Sequence, residues 1–179
     1  MNRADFRIGI LTLSDKGARG ERTDASGALL MELAADLGEV VRYRVLPDEA
    51  AAIRQVLAAW ADGDQLALIL TTGGTGLSPR DVTPEATLQV IDRLVPGLAE
   101  AMRAASLSKT PHAMLSRGVA GMRGRTLIVN LPGSPKAVRE NFSVILPALP
   151  HALAKLQGDP SDCAQGEAPP AQESPSCSQ

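Results

Sequence analysis

The chain has 179 residues, 44% of them hydrophobic and 21% charged, with a formal net charge of -2. That length supports one domain with a sizeable core and leaves too little for two large ones. Near-neutral charge, with only two phenylalanines, one tyrosine and one tryptophan, argues against a general nucleic-acid surface, which needs a basic field and stacking platforms.

The segment 6–14 (FRIGILTLS) is aliphatic and β-branched and breaks into polar, glycine-punctuated sequence, the pattern of a buried strand. After a loop, Leu29, Leu30, Leu33 and Leu37 recur at helical spacing, with Asp24 or Ser26 as cap and Gly38 as stop. VVRYRVL then alternates like a half-exposed strand, and Ile53, Val56, Leu57 and Trp60 share one helical face in the following segment. LALIL reads as a third strand. Such β-α-β-α-β alternation predicts a mostly parallel sheet flanked by helices, a three-layer α/β sandwich.

Farther along, TPEATLQVIDRLV (83–95) and PGLAEAMRAASLS (96–108) each place proline near a helix start, with Thr83 as the expected cap of the first. GVAGMRGRTLIVNLPGSP predicts two strands about a turn at Gly124. Residues 136–156 supply the last helical material, divided or kinked by Pro147 and Pro150. The domain is expected to span 1–158. Proline, serine, glutamine and glutamate dominate 159–179, predicting a disordered tail, and Cys163 and Cys177 fall there, where they cannot staple the core or supply zinc spacing. No apolar stretch approaches the roughly 20 residues of a membrane span, and the N-terminus lacks a secretory apolar core, so a cytoplasmic protein is expected.

The loop after the third strand, TTGGTGLSPRDVTPEAT, carries the densest chemical signal. It falls beyond a strand's carboxyl end, where open parallel sheets bind ligands. Gly73, Gly74 and Gly76 remove side chains and permit positive φ, while Thr72 and Thr75 add hydroxyls. Neither G-x-x-x-x-G-K-[ST] nor G-x-G-x-x-G is present. A plain connection needs only one such glycine, so three read as a ligand loop. Asp81 is a local ion-pair partner of Arg80, a loop hydrogen-bond acceptor, or one of two carboxylates holding Mg²⁺ with Asp48, which follows the preceding strand; Asp48 could equally cap the next helix. The segment from Asn130 to Lys136 (NLPGSPK) is a third strand-end loop, an anion contact or a proline-stiffened turn. Ser116 and Arg117 offer an anion contact or an ordinary surface pair. His112 and His151 lack partners at triad spacing and read as surface or packing residues.

Taken together and in order, TLSDKGARGERTDASG, LPDE, GGTG with PRDVTPEAT, and SRGVAGMRGRTLIVNLPG resemble the molybdenum-cofactor family of MogA/MoaB type, which includes the gephyrin and plant G domains. The resemblance runs from about Arg7 to Gly158. It implies the molybdenum cofactor biosynthesis protein-like fold and molybdopterin adenylyltransferase activity, with MgATP and molybdopterin as substrates. It implies a homotrimer handing its product to a molybdate-inserting enzyme, with no nucleic-acid or membrane partner. The implied catalytic residues are Asp48, Asp81 and Ser116, with Asp48 and Asp81 toward Mg²⁺. Ser14, Asp24, Thr72, Gly73, Gly74, Thr75 and Gly76 are implied for the nucleotide. Ser106, Asn130, Pro132, Gly133, Ser134 and Lys136 are implied for the pterin and phosphate. Two alternatives are a binding-only paralogue and a trimeric scaffold.

Overall fold

A computed structural model describes residues 6–160. Cys163, Cys177 and almost all of the expected tail lie outside them. Six strands form one sheet in the order β2-β1-β3-β6-β5-β4: β1 (Arg7–Leu13), β2 (Glu39–Leu46), β3 (Leu68–Thr72), β4 (Arg93–Leu94), β5 (Ala120–Arg123) and β6 (Thr126–Leu131). The first four in that order run parallel, and β5 and β4 are antiparallel additions.

Strand alternation sorts the core into two layers. Ile8, Ile10, Leu68, Leu70, Leu127 and Val129 pack on one face against α2 (Ala25–Ala34), α5 (Pro96–Leu107), α6 (Pro135–Ile145) and α7 (Leu149–Leu156). The intervening Leu11, Ile69 and Ile128 meet α3 (Ala50–Ala58), a π turn at Ala59–Gly63 and α4 (Thr83–Leu88) on the other. Because successive side chains point to opposite faces, strands apolar at every position are what a sheet covered on both sides requires. β3 and β6 are buried throughout, whereas β2 is largely exposed as an edge.

The expected helix over 83–95 ends at Leu88. The chain then turns, Asp92 donates its N–H to the Met122 carbonyl (2.8 Å) and Val95 to that of Ala120 (2.8 Å), making β4 an edge strand on β5. Gly121 permits this capture: a β-carbon there would lie 2.5 Å from Ile91 Cδ1 and 2.9 Å from the Arg93 carbonyl oxygen. Thr83 is not the cap; Val82 holds that position, and the Thr83 hydroxyl donates to the Gly73 carbonyl (3.0 Å). Asp24, rather than Ser26, caps α2. Pro147 sits in a short 3₁₀ turn and Pro150 in the first turn of α7, so the last helical region is divided as expected.

β2 lies on one side of β1 and β3 on the other, so the chain reverses direction across the sheet between β1 and β3. Loops leave the carboxyl ends of these strands in opposite senses and open a crevice there.

Gly9 in β1 faces the ring of Trp60, and a β-carbon there would lie 2.6 Å from Leu66 Cδ1 and 2.7 Å from Trp60 Cε3. Gly9→Ala should destabilise by about 1–3 kcal/mol through overpacking. Denaturant unfolding measures the loss, and the emission of the single tryptophan should shift with it.

Candidate active site

Two cavities open at the carboxyl edge. The first, about 460 Å³, sits at the crevice between β1 and β3 and is lined by Ser14, Asp24, Asp48, Thr72, Gly73, Gly74, Asp81, Gly133 and Ser134. The second, about 280 Å³, lies toward α5 and α6 and is lined by Thr75, Gly76, Ser106, Ser116, Asn130 and Pro132. The residues expected for one nucleotide loop therefore divide: Gly74 lines the first cavity and its neighbour Thr75 the second. Gly133 and Ser134, grouped with the pterin residues in sequence, belong to the first. Among the catalytic candidates, Asp48 and Asp81 share the first cavity, and Ser116 stands in the second. Lys136 is exposed in the first turn of α6 and lines neither.

The wall between the cavities is backbone. Gly73 has φ +99° and Gly74 φ +62°, the left-handed region where glycine is favoured. A β-carbon on Gly73 would lie 2.3 Å from the Leu13 carbonyl oxygen, and one on Gly133 would lie 3.2 Å from Gly73 Cα. On Gly74 it would meet Thr83 Oγ1 at 2.3 Å and Asp48 Oδ1 at 2.8 Å. Arg117 clamps this loop from the far side. Its backbone N–H donates to the Thr75 carbonyl (3.0 Å), its Nε to that of Gly76 (2.7 Å) and its Nη2 to that of Asp81 (2.5 Å), and it pairs with Glu85. The expected anion contact at Arg117 is thus a structural clamp.

Asp48 does not cap α3; Glu49 holds the cap position, without a side-chain bond. Instead Asp48 and Asp15 clasp each other. The Asp48 N–H donates to Asp15 Oδ1 (3.1 Å), and the Asp15 N–H donates to Asp48 Oδ2 (3.2 Å). Asp48 Oδ1 is buried without a hydrogen-bond partner. Burial, and secondarily the charges of Asp15 and Asp81, push the Asp48 carboxyl above its ordinary value. Arg80, expected beside Asp81, forks onto Asp15 instead, with Nε on Oδ2 (3.0 Å) and Nη2 on Oδ1 (2.8 Å). Hydrogen bonding to Arg80, then to the Asp48 N–H, holds Asp15 below the usual carboxylate range. Asp81 Oδ2 accepts from Ser78 N–H (2.8 Å).

Several candidates have side chains already engaged. Ser14 caps the four-residue α1 (Asp15–Ala18), accepting from the Gly17 N–H (3.1 Å). Asp24 accepts from the Gly27 N–H (2.8 Å) and from Tyr43 Oη (2.7 Å). Thr72 donates to the Pro132 carbonyl (2.8 Å), and Ser134 caps α6. The Asn130 amide donates to Thr71 Oγ1 and Thr87 Oγ1 (both 3.0 Å), binding β3 and α4 to β6, and retains acceptor capacity only at Oδ1. Ser106 bonds Asn141 (3.3 Å).

Sequence reading missed Asp15, Lys16 and Arg22 in the first cavity, and Arg103, Glu140 and Asn141 in the second. Asp15 and Lys16 directly follow Ser14 at the same strand end, a signal that was available. Arg103, on α5, donates its Nη1 to the Gly118 carbonyl (2.8 Å); it and Asn141 arrive by helix packing, which no local motif marks. His112, set aside as a surface or packing residue, is exposed at the rim of the second cavity.

Fold and site together define an α/β protein with one cavity at a topological switch point and a second beside it toward α5 and α6. The chain belongs to the family described as "Probable molybdopterin binding domain", which it matches over residues 9–151. It is 45% identical to gephyrin of Dictyostelium discoideum over 87% of this chain and 23% of gephyrin. It is 40% identical to the molybdopterin adenylyltransferase of Helicobacter pylori, covering 86% of this chain and 89% of that protein. The chain thus spans about a quarter of gephyrin and of the cinnamon protein of Drosophila melanogaster (23% and 26%), and most of the bacterial relative. Among solved structures it is similar to MoaB of Thermus thermophilus, with 60% identity and a TM-score of 0.82 over 87% of this chain and 98% of that one.

Tyr43 is the single tyrosine. Burial, and then its bond to Asp24, raise its phenol from 10.0 to about 12. The neutral phenol is favoured in the folded state, so this contact's contribution to stability is complete below about pH 10 and declines as pH rises toward 12. Titrating tyrosinate absorbance should give a midpoint near 12 in the folded protein, and Asp24→Ala should lower it only part of the way, since burial is the larger cause.

Proposed function

We propose that this chain is a molybdopterin adenylyltransferase, transferring AMP from MgATP to the terminal phosphate of molybdopterin with release of pyrophosphate. The observation that carries the reading is the pair of chemically different cavities sharing a thin backbone wall, with the unpartnered Asp48 oxygen beside it. Relatives named molybdopterin adenylyltransferase that match over most of their length support it.

The first cavity is the nucleotide site in this reading. It gathers Lys16 and Arg22 but also Asp15, Asp24, Asp48 and Asp81, so a bare triphosphate would meet net negative charge, which a Mg²⁺ ion between the carboxylates and the phosphates would offset. The residues fit such an ion. Asp48 Oδ1 is buried and unpaired, and a buried carboxylate oxygen without a partner is a liability that a cation relieves. Mg²⁺ is commonly held through one or two carboxylates, waters and substrate phosphates, and Asp48 and Asp81 both line this cavity. Asp48 and Asp81 would hold it, and when bound it supplies charge neutralisation on the phosphates.

The second cavity takes the pterin. Ala99, Met102, Ala113, Leu115 and Pro132 provide apolar walls for a flat heterocycle, and Ser106, Ser116 and Asn141 provide polar contacts along its edge. A phosphate monoester has a second pKa of about 6, so the nucleophile is largely dianionic near neutrality and needs no strong base. Its oxygen bonds to the α-phosphorus of ATP while the bond from that phosphorus to the bridging oxygen breaks, and pyrophosphate carries the electron pair away. The protein's contribution is alignment of the two ligands' ends at the edge of the glycine wall, where the cavities meet, and backbone N–H groups near developing charge. Ser116 stands beside the wall on the pterin side. The domain spans 1–158 and works in the cytoplasm as a homotrimer that passes its product to a molybdate-inserting enzyme. Leu77, Met114 and Leu115, exposed by 64, 64 and 47% beside the second cavity, are the apolar surface consistent with subunit association.

Incubation with molybdopterin, ATP and Mg²⁺ should yield adenylylated pterin and pyrophosphate in equal amounts. Tight pterin binding without product would establish the binding-only paralogue instead. Asp81→Asn should lower turnover by about 100-fold, the scale of losing one group that organises charge in a transition state, while pterin affinity measured by fluorescence stays near wild type.

A further inference from the structure

The Asp15–Arg80 pair touches neither the wall nor the second cavity, and the proposed reaction assigns it no role. Its connections are nonetheless specific. Asp15 stands at the end of β1, Asp48 at the end of β2, and Arg80 in the loop that follows β3, next to Asp81. The side chain of Asp15 accepts from the Asp48 N–H at 3.1 Å and from both Nε and Nη2 of Arg80 at 3.0 and 2.8 Å, and its own N–H returns a bond to Asp48 Oδ2 at 3.2 Å. One carboxylate therefore joins the three strand ends that bear Asp15, Asp48 and Asp81.

This joint has two geometric effects. The return bond occupies Asp48 Oδ2 and fixes the carboxylate's rotation, leaving Oδ1 as its unpartnered oxygen. The Arg80 fork fixes the loop carrying Asp81 against the loop carrying Asp48. A planar guanidinium gripping both oxygens of a carboxylate transmits orientation as well as charge, which a lysine ammonium does not. The pair is also exposed, with side-chain accessibilities of 56% for Arg80 and 29% for Asp15. Exposed ion pairs contribute little to stability, so folding does not account for it.

We propose that Asp15 and Arg80 are positioning residues that set the orientation of Asp48 and its spacing from Asp81, and thereby the affinity of the first cavity for a divalent cation accompanied by ATP. This rests on the reading that Asp48 and Asp81 hold that cation.

The test is Mn²⁺ binding to the full chain in the presence of ATP and without pterin, followed by water-proton relaxation, alongside thermal unfolding. Removing a residue that orients a metal ligand weakens metal affinity by about 10–100-fold. Arg80→Ala should show that loss with an unchanged unfolding temperature, and Arg80→Lys should recover only part of it. Asp15→Asn keeps the backbone N–H on Asp48 Oδ2 but loses the two-oxygen grip on Arg80; it should weaken binding comparably, and combining it with Arg80→Ala should add little, since both break the same fork. Wild-type Mn²⁺ affinity in a folded Arg80→Ala, with affinity lost in Asp48→Asn, would overturn the positioning role alone. Wild-type affinity in Asp48→Asn would overturn the reading beneath it.

Discussion

The architecture of the site depends on how closely the backbone at Gly73 passes the carbonyl of Leu13. A β-carbon at that position would stand 2.3 Å from the oxygen, so only glycine lets the loop leave β3 and cross the end of β1 at this height. From that crossing the rest follows. Gly74 comes against Thr83 and Asp48, Thr75 turns to the opposite side, and Gly133 closes over Gly73 from the β6 loop. The Thr83 hydroxyl, diverted from capping, holds the crossing by donating to the Gly73 carbonyl, and Arg117 secures the carbonyls of Thr75, Gly76 and Asp81. The sheet supplies the place and the glycines supply the distance.

The two cavities differ in kind because of the elements that border them. The first is built from strand ends and the loops just after them, where backbone and short polar side chains dominate and acids gather. The second is bordered by α5, α6 and the 3₁₀ turn at Pro111–Leu115, whose facing sides are partly apolar because they also complete the core. In the proposed reaction a polar phosphate-rich ligand would take the sheet edge and a flat heterocycle the helix interface, with their ends meeting where the two cavities adjoin.

Much of this was legible in the sequence for a physical reason. Buried strands show as unbroken apolar runs, such as residues 66–70 and most of Thr126–Leu131, and in a parallel sheet the residue after each run falls on the same edge. That logic alone places Asp48, Gly73 and Gly133 together. It failed where a tertiary contact overrode a local pattern: the helical spacing of Val90 and Ile91 continues past Leu88, but β5 captures the chain because Gly121 leaves room for it. At Arg80 the ion-pair alternative fails, since the loop turns the guanidinium across the crevice to Asp15, while the loop hydrogen bond expected of Asp81 is present, accepted from the Ser78 N–H. The division of the glycine loop between cavities was also invisible, because alternation along an irregular loop is set by positive φ angles rather than by a fixed period.

A partition made of main chain has a consequence for how such a protein can change. Where side chains separate two ligands, each face can be remodelled by substitution without disturbing the other. Here the partition offers little to substitute: it is the main chain from Gly73 to Gly76, of which Gly73 and Gly74 line the first cavity and Thr75 and Gly76 the second, and an added methyl group at Gly73 or Gly74 would strike Leu13, Thr83 or Asp48. The two specificities are therefore inherited as a unit at their junction, and diversification is confined to the outer rims.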